Sequence, residues 1–180
     1  MISRRMVIAA GAWAMLGCAA MAGSGYDDEG VNFGVARTNE IRTQNYEAHT
    51  PTSIAGAQTV TTPTLQRMIA AKNPPLLIDV LEGSQSVSLP NAVWLKGAGM
   101  GSGLDDDVQQ RLAARLQELT QGRKSQPMVF FCLSKTCWLS HNAVVRAVAL
   151  GYSRVYWYRG GRNAWIAAGL PMPAAPWSSF

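Results

Sequence analysis

Two short, almost uninterrupted apolar runs, residues 76–80 (LLIDV) and Met128–Phe131 (MVFF), constrain the fold more than any other feature of the chain. They are too short for buried helices. Apolar residues at consecutive positions demand burial on both faces, which is the pattern of a central strand in a parallel sheet. The one polar residue of the first run, Asp79, stands near its carboxyl end. Around these runs the spacing turns helical. A strand candidate at 58–61 (QTVT) leads into Thr62 as a cap and Pro63 in the first turn of a helix carrying Leu65, Met68 and Ile69, which Asn73-Pro74-Pro75 stops. A strand at 92–95 (AVWL) precedes a Gly-rich stretch, and Asp105-Asp106-Asp107 then opens a helix striped by Val108, Leu112, Leu116 and Leu119 and closed by Gly122. These carboxylates are read as a cap in the field of the helix dipole rather than as a metal site. Residues 139–150 predict a helix ended by Gly151, residues 155–158 (VYWY) a last strand, and residues 162–168 a short helix. Strands alternating with helices predict an α/β domain with a central parallel sheet and helices on both faces. Ligands of such sheets meet the carboxyl ends of strands, so the loop after Met128–Phe131 is the first place to look.

Composition sets the rest of the frame. With 180 residues, 48% hydrophobic and 15% charged, the chain has the length and apolar content for one packed domain plus attachments. Residues 1–22 read as a signal peptide, with Arg4 and Arg5 before an uncharged apolar run and a small-residue cleavage site ending at Ala22. The predicted location is periplasmic, with a twin-arginine route and lipid anchoring at Cys18 as variants. The apolar stretch is too short for a comfortable transmembrane helix. Removing Arg4 and Arg5 from the 16 basic residues leaves 14 against 11 acidic ones, a net +3. So small a surplus, with no basic block, gives no reason to expect nucleic acid as a partner. Residues 23–56, polar and without periodicity, read as an arm or linker, and residues 173–180 as a Pro-rich tail.

The loop itself is Cys132-Leu133-Ser134-Lys135-Thr136-Cys137-Trp138. A strand-to-helix turn aims backbone N–H groups into one concavity, and the positive helix end adds to their field. Leu133, Ser134, Lys135, Thr136 and Trp138 are therefore expected to form an anion-binding loop. A thiolate at its centre is favoured over the thiol, which makes Cys132 a candidate nucleophile.

Phe130-Phe131-Cys132, the alanine-rich helix ending Ala149-Leu150-Gly151-Tyr152, and Gly160-Gly161-Arg162-Asn163-Ala164-Trp165 through Ala168-Gly169-Leu170-Pro171 resemble the rhodanese-like sulfurtransferase domain. Leu77-Ile78-Asp79-Val80 resembles that family's second strand, and the resemblance extends over residues 57–171. The Cys-Trp pair, the exported leader and the arm are similar to the exported Cys-Trp-motif (CXXCW) subgroup associated with catabolism dependent on pyrroloquinoline quinone. The resemblance implies a single rhodanese-like domain at 57–172, a persulfide-forming Cys132, and a periplasmic protein partner such as a quinoprotein dehydrogenase system. A small sulfur-containing anion is the other partner it implies. No cofactor is implied. Where typical members carry a cationic Arg and a Gly in the loop, this chain has Cys137 and Lys135, and both departures argue against thiosulfate sulfurtransfer.

Three readings of the cysteine pair follow. In the first, Cys132 is the nucleophile and Cys137 the resolving thiol, exchanging persulfide or disulfide with a partner. In the second, a Cys132–Cys137 disulfide staples the loop of a non-catalytic binding module; such closure needs Cα atoms within about 7 Å. In the third, Cys132, Cys137 and His141 (C-x4-C-x3-H) hold a metal, although three ligands without a fourth are a weak signal. His141 and Asp79 are further expected as support, His141 as a helix-face residue and Asp79 through hydrogen bonds at the strand end. Gly99-x-Gly101-x-Gly103 reads as a loop, not a nucleotide site.

Overall fold

The computed structural model describes residues 26–84, 86–175, 177, 178 and 180, so the leader at 1–22 lies outside the described residues. Five short strands and four helices follow the predicted alternation: β1 (Ala57–Thr59), α1 (Thr62–Ile69), β2 (Leu76–Asp79), β3 (Val93–Leu95), α2 (Asp107–Thr120), β4 (Met128–Phe131), α3 (Trp138–Ala149), β5 (Val155–Trp157) and α4 (Gly161–Ala167). A two-residue β6 (Trp177–Ser178), within the segment expected to be a tail, extends one edge of the sheet. The strand order is β1-β5-β4-β2-β3-β6, and every pairing is parallel. β4 and β2 are thus interior strands, which is why their residues are apolar at nearly every position.

Alternation along those strands divides the core. Ile78, Met128 and Phe130 face one side with Leu112 and Leu116 of α2 and Ala143, Val144 and Ala147 of α3. Leu77, Val129 and Phe131 face the other with Leu65 of α1 and Ala164 and Trp165 of α4. Helices therefore cover both faces, as the sequence predicts. Asp106 caps α2 by accepting from the Gln109 amide at 2.8 Å, and Gln121, in a left-handed conformation at φ 51°, closes it together with Gly122.

Residues 26–56 are an arm that lies on the domain, not a spacer. Ile54 is buried, and Ile41 and Tyr46 pack against the same core as α3. The arm crosses the exposed side of α3: Asn142 exchanges hydrogen bonds with the Arg42 backbone (3.0 and 2.7 Å), and His141 Nε2 meets the Thr38 carbonyl at 3.1 Å. This explains why α3 is buried almost all round and carries no polar stripe. On its other flank the Gly-rich loop presses close: a Cβ on Gly99 would run into the Leu139 carbonyl, and Asn142 donates to Gly99 O at 2.8 Å. Arg146 of α3 reaches under the same loop to Asp106 at 2.8 Å and to the carbonyls of Met100 and Gly103. Burial opposes ionisation of Asp106, yet Arg146 and three backbone amides outweigh it and hold the carboxyl well below the usual range. Among the described residues no helix is long and apolar enough to cross a membrane.

Candidate functional site

Cys132 follows the last residue of β4, and Cys137 is the residue at the amino cap of α3. The intervening turn brings their Cα atoms to 6.4 Å and the two sulfurs into a disulfide. The turn is held from two directions. From α4, the Arg162 and Asn163 amides donate to Cys132 O and Leu133 O, both at 2.9 Å. Gly161 makes this approach possible, since at φ 63° a Cβ would come within 2.5 Å of the Cys132 carbonyl oxygen. From the arm, Thr50 donates twice to Lys135 O, Trp138 N–H donates to Tyr46 O at 2.9 Å, and Glu47 bridges Cys137 in antiparallel register.

The two sulfurs stand in different surroundings. Cys132 is 1% exposed and its Sγ lies 3.1 Å from Ser140 Oγ, one turn into α3. That hydroxyl accepts from the Trp157 indole N–H at 3.0 Å and, in the disulfide form, is placed to donate to the Cys137 carbonyl at 3.4 Å. Cys137 is 7% exposed and lines a cavity of about 300 Å³. The apolar wall of this cavity is built by Tyr46, Leu81, Met100, Leu133 and Leu139, and Glu47 and Glu82 stand at it as well. Among the described residues no lysine or arginine lines it. A second cavity, across the loop and lined by Lys135, reaches neither sulfur.

A family model for the rhodanese-like domain matches residues 61–168, more than half of the chain. The chain belongs to the rhodanese-like family. No curated protein matches it. Among solved structures, the full-length protein from Lactobacillus plantarum shares 18% identity at a TM-score of 0.50, over 64% of this chain and 87% of that one. Thiosulfate sulfurtransferase from Pseudomonas aeruginosa aligns at the same identity and TM-score over 69% of this chain, which spans only 21% of that enzyme's length. At such identity the likeness is one of fold.

Within this rhodanese-like domain the loop departs from an anion cradle. The amides of Thr136, Cys137 and Trp138 are taken by Ser134 Oγ, Ser134 O and Tyr46 O, so the three nearest the helix end are spent within the protein. Lys135 turns away and pairs with Asp28 of the arm. Of the residues expected to form an anion-binding loop, Leu133, Ser134, Lys135, Thr136 and Trp138, the Thr136 and Trp138 amides and the Lys135 side chain are thus engaged within the protein. Trp138 itself is buried under the arm, its indole donating to His49 O at 3.2 Å.

His141 points to Thr38 and packs against the rings of Trp138 and Trp157. Burial pushes its imidazole below the ordinary value. Its Nε2 is thus engaged by the arm, and among the described residues no group of three or more His, Cys, Asp or Glu side chains is placed to hold a metal. Asp79 acts at one remove from the sulfurs. Burial raises its carboxyl, opposed by Arg162, Ser88 and the Leu81 amide; Ser88 donates to it at 2.5 Å and Arg162 Nε at 2.6 Å. Sequence reasoning missed Glu47 and the pairing of Ser140 with Trp157, because both depend on contacts distant along the chain. The serine's place one turn into a helix that starts at a cysteine was the one available signal.

Proposed function

We propose that this rhodanese-like protein is an exported thiol–disulfide exchange protein working through the Cys132–Cys137 pair. The observation that carries this reading is the asymmetry of the pair, with Cys132 sealed beside the Ser140 hydroxyl and Cys137 lining an open cavity. A purely structural staple has no use for a cavity at one of its sulfurs. Thiosulfate chemistry is disfavoured because, among the described residues, no lysine or arginine lines that cavity. Export follows from the leader at residues 1–22, and an oxidising compartment would keep the pair ready to accept electrons. Service to a quinoprotein-dependent oxidation system belongs to the same reading and rests on the Cys-Trp subgroup resemblance. In that setting the pair would oxidise a partner's dithiol, or pass on a persulfide sulfur in the reduced state.

Thiol counting and intact mass in glutathione buffers of graded redox ratio test the reading on native protein. Reversible gain and loss of two thiols without unfolding supports exchange, and a gain of one sulfur from a donor would add the persulfide branch. A disulfide reduced only after denaturation would replace this reading with the stapled binding module.

A further inference from the structure

Resting on the exchange reading above, the two cysteines have an order of use that is opposite to the one the sequence implies. We propose that Cys137 is the sulfur attacked by an incoming thiol, that Cys132 is the leaving thiolate held by Ser140, and that the cavity at Cys137 selects thiols on neutral or cationic apolar frameworks.

Access decides the order. Thiol–disulfide exchange requires the attacking sulfur to reach its target along the S–S axis. The 300 Å³ cavity reaches Cys137, whereas Cys132 lines neither that cavity nor the one across the loop. An incoming thiolate therefore forms a bond to Cys137 Sγ. The Cys132–Cys137 bond breaks, and its electron pair leaves on Cys132 Sγ. A thiol with a stabilised thiolate leaves faster. Cys132 has the means: Ser140 Oγ lies 3.1 Å away, Trp157 N–H donates to that oxygen, and the hydroxyl proton, directed at the Cys137 carbonyl at 3.4 Å in the disulfide, turns to the thiolate once Cys132 carries the charge. A second thiol of the partner then attacks the Cys137 mixed disulfide, releasing the partner as a disulfide and leaving Cys132 and Cys137 both reduced. Two electrons pass from the partner's thiols to the pair.

Charge decides the selectivity. Glu82 at the wall has Lys96 3.4 Å away, but Glu47 makes no ion pair among the described residues, and it is the residue bridged to Cys137. An anionic thiol is repelled along its whole approach, and a cationic one is drawn in. Tyr46, Leu81, Met100 and Leu139 supply the apolar contact. The volume lies at the lower end for ligand sites and fits a side chain or a small organic thiol.

Three thiols of one skeleton test this on the oxidised protein at low salt: cysteamine, 2-mercaptoethanol and 2-mercaptoethanesulfonate, with rates expressed per thiolate. The expected order is cation, neutral, anion, with roughly a tenfold spread from first to last. In Glu47→Gln the spread should shrink to about the value set by the remaining charges, roughly threefold. Acid quench, alkylation and peptide mapping should place the cysteamine adduct on Cys137 and the alkyl group on Cys132. An adduct on Cys132, or a spread absent in the native protein or unchanged in Glu47→Gln, overturns this inference while leaving exchange intact. No reaction with any of the thiols, in a protein whose disulfide is reducible once denatured, overturns the exchange reading and this inference with it.

Discussion

Arg162 and Asp79 form a fully buried ion pair at 2.6 Å, and through it the carboxyl end of β2 is tied to the turn that supports the cysteine loop. The same Arg162 donates its backbone N–H to Cys132 O. A residue that binds a carboxylate with its side chain and the loop with its main chain makes the two positions depend on each other. Removing one partner leaves a buried charge uncompensated, so Arg162→Met should cost about 3–5 kcal/mol. The double variant Asp79→Leu with Arg162→Met should recover much of that loss, because the remaining desolvation penalty is gone. Urea unfolding of the three proteins checks the expectation, and equal losses in the single and double variants would contradict it.

Ser140 is a positioning residue whose effect should appear in the reduction equilibrium. A hydrogen bond to a charged group contributes about 1.5–3 kcal/mol when buried. Losing it in Ser140→Ala removes support for the reduced state of Cys132, and the equilibrium constant for reduction by glutathione should fall by about tenfold or more. Ser140→Thr keeps the hydroxyl and should restore it. Ser140→Ala also strands the buried Trp157 N–H and lowers stability in both redox states, so the redox effect is read as the further loss of stability in the reduced protein beyond that seen with the disulfide intact.

Much of the fold was legible because its signals are local. The apolar runs at β2 and β4, the Asp106 cap and the glycines after α2 and α3 each act within a few residues, and each appears where expected. The arm was not legible, since residues 26–56 have no periodicity and their burial depends on hydrogen bonds to residues about a hundred positions away, such as Arg42 with Asn142. The site divides along the same line. The spacing of Cys132 and Cys137 permits a disulfide without requiring it, while the fate of the loop amides, the direction of Lys135 and the pairing of Ser140 with Trp157 are set by segments that meet only in the folded chain. His141 shows the cost of reading a ligand from spacing, because its partner Thr38 is on the arm.

His141 gives the fold a dependence on acid. Burial holds its imidazole below the ordinary 6.5 in the folded protein, whereas the unfolded chain takes up a proton near that value. Below pH 6.5 the unfolded state therefore binds more protons, and the stability present above that pH falls as the pH drops toward the folded pKa. The slope from one such proton approaches about 1.4 kcal/mol per pH unit. Urea midpoints at pH 7.5 and pH 5 should differ in the native protein, and the difference should narrow in His141→Gln. An unchanged difference would assign the acid sensitivity to other groups.

Arg159 is the fastener of the arm. Its buried guanidinium donates to the carbonyls of Glu29 (2.7 Å), Val31 (3.1 Å) and Thr50 (3.0 Å), and to the Thr50 hydroxyl (3.0 Å). These acceptors lie at both ends of the stretch that covers the cysteine loop, so the one side chain closes the arm on itself and on the domain. Arg159→Met keeps most of the apolar stem and removes every donor, leaving buried carbonyls unsatisfied at about 1–3 kcal/mol each where water does not replace the bond. The arm should then open ahead of the sheet. Hydrogen exchange should quicken at Thr50 and Trp138, whose amides are bonded across that contact, while Val129 and Phe130 in the central strand stay protected. Because Glu47 travels with the arm, the same variant should also weaken the preference for cationic over anionic thiols. Faster exchange spread evenly over strand and arm would instead mean that Arg159 stabilises the whole domain and fastens nothing in particular.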